Sequence, residues 1–206
     1  KPGKVPAAAF SLNNPRAIDA ARRYTYNLVT QTTDETRAAI RAVIVAGQRG
    51  KLTIDEQADR IRRTIGLNEP QSVAVMNFDL GLREDGDLSE SQISQRVARM
   101  VEDSLDYRAE MIARTETARA QSVGQVESWL QAAGDGLLGA DAQRTWIAEA
   151  DACDLCSALD GVVVGIDESW QSEGESVDYP PRHPRCRCAM GIVDPGSYTP
   201  GEERST

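Results

Sequence analysis

The sequence holds one histidine in 206 residues, and that scarcity excludes more chemistry than any other feature of its composition. A Ser-His-Asp triad has only His183 to draw on, and a zinc-protease helix of the H-E-x-x-H kind cannot be written. Aromatic residues make up 5% of the chain, which is thin for an aromatic-rich all-β core. The apolar 40% is therefore mostly Ala, Val, Leu and Ile, a mix that suits amphipathic helices. No stretch approaches the roughly 20 uncharged apolar residues that a membrane span requires, so no membrane partner is expected. The residues from Lys1 onward do not follow the pattern of a secretory leader, a basic start and then an apolar core. The sequence also lacks an initiator Met, as expected of a processed chain, a subcloned fragment or one piece of a longer protein.

Positive charge is scarce too, and unevenly placed. The formal charge is −9. Residues 1–80 carry 12 basic against 8 acidic side chains, residues 81–152 carry 7 against 14, and residues 153–206 carry 4 against 10. An acidic body argues against tight, indiscriminate binding to duplex DNA, because that affinity comes largely from neutralising phosphates. The mildly basic first third reads as a solvated helix face of mixed charge.

What is present is a succession of helix signals. Residues 1–13, with two prolines and a glycine and no periodicity, read as a flexible or docking tail. Asn14 before Pro15 starts a helix with a loose apolar stripe through Ile18, Ala21, Leu28 and Val29. Thr32-x-x-Glu35 is a capping box opening a second helix through Ile40 and Ile44, to be ended by Gly47 or Gly50. Thr53-x-x-Glu56 repeats the signal ahead of Ile54, Ala58, Ile61 and Ile65. A fourth helix starts after Asn68, with Pro70 in its first turn and Val73, Met76 and Leu80 as its stripe. The segment Asp85-Gly86-Asp87 reads as a turn. From Ser89-x-x-Gln92 a long helical pattern runs to Leu130, with a break or kink expected near 106–110, where the apolar spacing slips; Gly134 and Gly136 stop it. Beyond 140 the texture changes to short strands, Arg144–Ala150, Val162–Ile166 and Cys188–Val193, with a turn at Leu159-Asp160-Gly161. Residues 167–182 read as a long polar loop.

All four cysteines and the histidine fall between 153 and 188, as Cys153-x-x-Cys156 and then His183-x-x-Cys186-x-Cys188. A C-x-x-C turn brings two thiolates to face one point, and a second cluster on a neighbouring segment can complete a tetrahedron around zinc. The chain offers five candidates for four positions. Cys186 and Cys188 point to opposite sides if locally extended, which would put Cys186 or His183 outside the ligand set. Structural zinc is the leading reading; two disulfides and free thiols are the alternatives. Zinc or disulfides would pin a sheet too poor in apolar residues to hold itself together. Four or five ligands imply a closed site rather than a catalytic one. For a Cys186–His183 nucleophile pair the neighbouring thiols make ligation the better reading, and a deaminase pattern fits the order of residues poorly, so no enzyme is expected.

Ile112-Ala113-Arg114-Thr115-Glu116-Thr117, then Trp146, Asp151, Cys153-x-x-Cys156, Leu159-Asp160-Gly161 and Pro180-Pro181-Arg182-His183-Pro184-Arg185-Cys186-Arg187-Cys188, resemble the phage Mu F-like head morphogenesis family, over roughly residues 90–193. The resemblance implies a minor head protein, a virion structural component associated with the portal vertex, acting in head morphogenesis and in genome packaging or ejection. It implies that Cys153, Cys156, His183, Cys186 and Cys188 form the fold-defining cluster, while members lacking some cysteines make a metal dispensable in parts of the family. It also marks Arg114 and Glu116 as family-typical helix residues; by themselves they read as a helix-surface or helix-packing ion pair. Some relatives are fused to a portal protein, a possibility that the missing start leaves open.

The expected fold is α+β: a mostly helical N-terminal arm (1–85), a long helix leading onward (86–139), a small antiparallel module pinned by the Cys/His cluster (140–193) and a disordered tail (194–206). The expected cofactor is structural zinc. The expected partners are the phage portal protein, other head proteins and packaged DNA. Several copies are expected per particle, in the capsid interior near the portal and, during assembly, in the bacterial host cytoplasm. The alternative is a zinc-ribbon-like nucleic-acid-binding protein, for which Arg182, Arg185 and Arg187 would supply the positive charge.

Overall fold

The structure is a computed structural model and describes residues 34–139 and 141–193. The expected N-terminal tail, the helix from Asn14, the Thr32 cap and the disordered C-terminal tail lie outside the described residues. The chain divides into two compact units, and the boundary falls inside a helix, between Glu116 and Thr117.

The first unit is helical. Helix α1 (Asp34–Gln48) packs on α2 (Ile54–Arg62), and Ile40, Ile44 and Ile61 are fully or almost fully buried. Thr53 and Glu56 form the expected reciprocal cap, each satisfying a backbone N–H that the helix leaves without a partner. Gly47 lies within α1 and does not end it. A Cβ there would meet the buried Gln57 amide at 2.4 Å, so glycine is what lets the Gln57 side chain approach α1 so closely. Gly50, at φ +70°, makes the left-handed turn that follows.

Helix α3 (Glu69–Asp85) opens on a second reciprocal cap, Asn68 with Gln71, and the Gln71 amide also donates to the Ser104 carbonyl at 2.8 Å. Gly86, at φ +72°, ends it. The stripe read from the sequence lies on the surface: Val73, Met76 and Leu80 are 45%, 55% and 49% exposed, and Leu82 is the buried apolar residue of this helix. Apolar residues occur on every side of α3, so periodicity alone could not select the inward face.

Helix α4 (Glu90–Gly134) is continuous over 45 residues, and the break expected near 106–110 does not occur. That stretch, Asp106 to Glu110, contains no glycine or proline. The apolar spacing slips there because Arg108 takes a buried position and donates to the Gly66 carbonyl at 2.9 Å.

The second unit combines the C-terminal part of α4 with five short strands. In the three-stranded sheet, β1 (Gln143–Ile147) lies between β2 (Val163–Gly165) and β5 (Ala189–Val193), both antiparallel to it, with Trp146 opposite Met190 and Arg144 opposite Val164. Alternation along β1 turns Arg144 and Trp146 inward. Trp129, Trp146, Leu159, Trp170 and Met190 form the core, where Trp146 and Trp170 meet edge to face at 5.3 Å. The segment read as a long loop contains a hairpin, β3 (Trp170–Ser172) with β4 (Glu175–Val177). Glu173 and Gly174 turn it with φ of 53° and 80°. Its strands are polar except for the paired Trp170 and Val177, which are buried, and so it carries little alternation to read.

Candidate metal centre

The Cys153–Cys156 segment is a knuckle around the single turn α5 (Asp154–Ser157). The Cys156 and Ser157 N–H groups both bond back to the Cys153 carbonyl, which turns the two thiols toward one point. The Leu159–Gly161 turn is locked to β1: Asp160 accepts from the Ala148 N–H at 2.8 Å, and the Gly161 N–H donates to the Trp146 carbonyl at 2.9 Å.

The second cluster reaches the knuckle through the buried Pro180-Pro181 pair, joined by a cis peptide bond. Arg182 fixes the approach. Its guanidinium donates to the Leu155 carbonyl inside the knuckle at 3.1 Å and to the Ser172 hydroxyl at 2.8 Å, tying knuckle, hairpin and histidine segment together. The chain then turns through Arg185, at φ 64°, with the Cys186 N–H on the His183 carbonyl. The segment is therefore not extended, and Cys186 and Cys188 do not diverge as an extended strand would force them to.

All five expected residues come together. His183 Nε2 lies 3.3 Å from the Cys153 sulfur and 3.4 Å from the Cys156 sulfur, and the Cys156 and Cys186 sulfurs are 3.8 Å apart. The donor atoms fall into two groups, Cys153 with Cys156 and His183, and Cys156 with Cys186 and Cys188; within each they lie inside 4.8 Å of one another. Cys156 belongs to both and is 1% exposed. These groups are positioned to hold a metal ion. The sulfur separation is far beyond the roughly 2.05 Å of a disulfide bond, and all four thiols are unbridged.

The surroundings suit thiolate and imidazole ligands. His183 Nδ1 lies 2.8 Å from the Pro184 carbonyl, which can only accept, so Nδ1 carries the hydrogen and Nε2 presents its lone pair to the thiols. The Cys156 backbone N–H, with His183 adding to it, lowers the Cys153 thiol below its usual range. Burial pushes Cys156 up, reinforced by the neighbouring Cys186, and burial also raises Cys188. Against that burial, the Glu149 backbone N–H and the Trp146 indole N–H both favour the Cys188 thiolate. A cation between the sulfurs would offset the burial penalty directly. The site opens on a recess of about 200 Å³ that Glu149, Asp151, Arg185 and Arg187 also line; Asp151 and Arg187 form an ion pair there.

The model of the Phage Mu protein F like protein family matches residues 85–191, just over half of the chain. The chain belongs to that family. No curated protein and no solved structure matches it. The Mu F-like assignment makes the chain a phage head morphogenesis protein and places it in the virion. The matched region holds the whole Cys/His cluster, the three-stranded sheet up to Gly191 and all of α4. No helix among the described residues is long and apolar enough to cross a membrane.

The two helix residues marked by the resemblance do not pair with each other. Arg114 bonds Glu110, one turn back, at 2.7 Å on the surface, while Glu116 is fully buried. Residues two apart on a helix face different directions. Sequence reasoning passed over Arg182, Trp146 and the Glu149 backbone as supports of the site. Arg182 stands directly before His183, and Trp146 is the one large apolar residue at the inward register of β1; those positions were the available signals.

Proposed function

We propose that this chain is a minor head protein that associates with the portal vertex and acts in genome packaging or ejection, with its C-terminal module held by structural zinc. The observation that carries the reading is the family match over 85–191, which takes in the Cys/His cluster. Zinc suits the donor set. Tetrahedral coordination at roughly 2.3 Å to sulfur and 2.0–2.1 Å to nitrogen requires S···S of about 3.8 Å and S···N of about 3.6 Å. The corresponding separations are 3.8 Å and 3.3–3.4 Å. Four of Cys153, Cys156, His183, Cys186 and Cys188 hold the ion, and its part is to pin the module.

The helical unit supplies the docking surface in this reading. Met76, Leu80 and Val73 are half exposed on α3, an apolar face that a portal subunit or another copy would cover. The acidic module, with 10 acidic against 4 basic residues from 153 onward, would keep packaged DNA from adhering near the exit. The nucleic-acid alternative is disfavoured by its own arginines. Arg182 is spent on Leu155, Ser172 and the more distant Glu175, and Arg187 on Asp151.

Native mass spectrometry of the chain mixed with its cognate portal protein tests the proposal. A portal-bound species with one zinc per copy is expected. A folded, zinc-loaded chain that forms no portal complex but binds DNA in a salt-dependent way would overturn it in favour of the nucleic-acid reading.

A further inference from the structure

Trp146 occupies an unusual position for a core tryptophan. Its side chain is 1% exposed, at the centre of the sheet and edge to face with Trp170. Its indole N–H is buried and has no oxygen or nitrogen acceptor among the described residues. The indole of Trp170, equally buried, is satisfied in the ordinary way and donates to the Val162 carbonyl at 2.8 Å. A buried N–H without an acceptor is destabilising, and folded proteins rarely tolerate it at the middle of a core. The nearest chemistry on its side of the sheet is sulfur: Trp146 stands opposite Met190, two residues beyond Cys188, so Cys188 is its diagonal neighbour and packs on the same core cluster. Glu149 and Cys188 line one recess, and the Glu149 backbone N–H and the Trp146 indole N–H both favour the Cys188 thiolate. A neutral thiol is a weak acceptor, whereas a thiolate bound to a cation keeps lone pairs and negative charge that two N–H donors can share.

We infer that Trp146 is a positioning residue of the metal centre: its indole N–H, together with the Glu149 backbone N–H, bonds the metal-bound thiolate of Cys188, which makes Cys188 one of the ligands. The inference rests on the metal reading above and goes beyond it by naming a ligand and its support. It leaves one surplus donor among Cys153, Cys156, His183 and Cys186. It also gives the core a second function. The buried indole acquires its acceptor when the ion binds, so metal occupancy and packing of the Trp146–Trp170 pair are coupled. The donors around an ion's ligands are worth about 10- to 100-fold in affinity, and Trp146 supplies one of them from inside the hydrophobic core.

The test uses the full chain, zinc as the probe and ¹⁵N-labelled tryptophan. The Trp146 indole resonance is expected to move on zinc binding and to exchange its hydrogen more slowly, while that of Trp170, bonded to a carbonyl, changes less. Trp146→Phe keeps an aromatic side chain, smaller than the indole, and removes the donor; zinc affinity should fall about 10- to 100-fold. Trp170→Phe removes an equally buried indole N–H that bonds a carbonyl instead, and its zinc affinity should fall by less than that of Trp146→Phe. Equal losses in the two variants, or a Trp146 resonance indifferent to zinc, would overturn the inference and leave the metal site standing. A chain that binds no zinc would overturn both. The wild-type resonances carry the test even where Trp146→Phe does not fold.

Discussion

The two units hold themselves together by different means. In residues 34–116 a few isoleucines, Ile40, Ile44 and Ile61, are sealed between helices whose ends are set by reciprocal caps, while Val73, Met76, Leu80 and Tyr107 remain near half exposed. In residues 117–193 the strands have three to five residues each, yet two tryptophans are fully or almost fully buried and five side chains positioned to hold a metal ion converge. Helices satisfy their backbone locally and can leave an apolar face outward. Strands this short bury too little by themselves and need a cross-link to stay paired. The helical unit is thus the one equipped to meet partners, and the module the one equipped to remain rigid.

The most severe way to break this comparison is to remove the proposed zinc. Chelation, or Cys156→Ser at the thiol shared by both donor groups, should unfold the module while the Ile40, Ile44 and Ile61 methyl resonances of the helical unit persist. Structural zinc contributes on the order of 10 kcal/mol, comparable to the whole stability of a domain this size. Methyl and amide spectra before and after chelation decide it, and a module that keeps its dispersed resonances without metal would refute the cross-link account.

Core truncations sharpen the contrast at the next level. Trp170→Ala should cost about 3–5 kcal/mol and Ile61→Ala about 2–5 kcal/mol. Hydrogen exchange should show the first loss in the sheet and hairpin and the second in α1 and α2. Loss of protection in the opposite unit would argue against two separately maintained cores.

Least disruptive to folding is Met76→Asp, on the exposed face of α3. Stability in urea should change by no more than about 0.5 kcal/mol. Incorporation into phage heads should fall steeply, and unchanged incorporation would remove α3 as the docking face.

Much of this arrangement was legible in the residues. Thr53, Asn68 and Gly86 announce helix boundaries because capping is local chemistry between residues three or four apart. The three-stranded sheet followed from short apolar stretches around Trp146, Val164 and Met190. Gathering all four cysteines and the histidine between 153 and 188 announced one site. The β3–β4 hairpin was missed because its polar strands bury only Trp170 and Val177. No break in α4 answers to the slip in apolar spacing, because at Arg108 the helix turns a polar side chain inward to bond the Gly66 carbonyl.

By itself, then, the sequence determined the family, the helix caps, three of the five strands and the membership of the Cys/His cluster. Only the tertiary structure decided that Val73, Met76 and Leu80 face outward, that Arg185 turns Cys186 and Cys188 toward one cluster, and that Cys188 packs on the core around Trp146. The division has one physical cause. Caps, turns and ligand spacings are fixed by neighbours along the chain, whereas the facing of a side chain is fixed by what packs across from it, which no local pattern records.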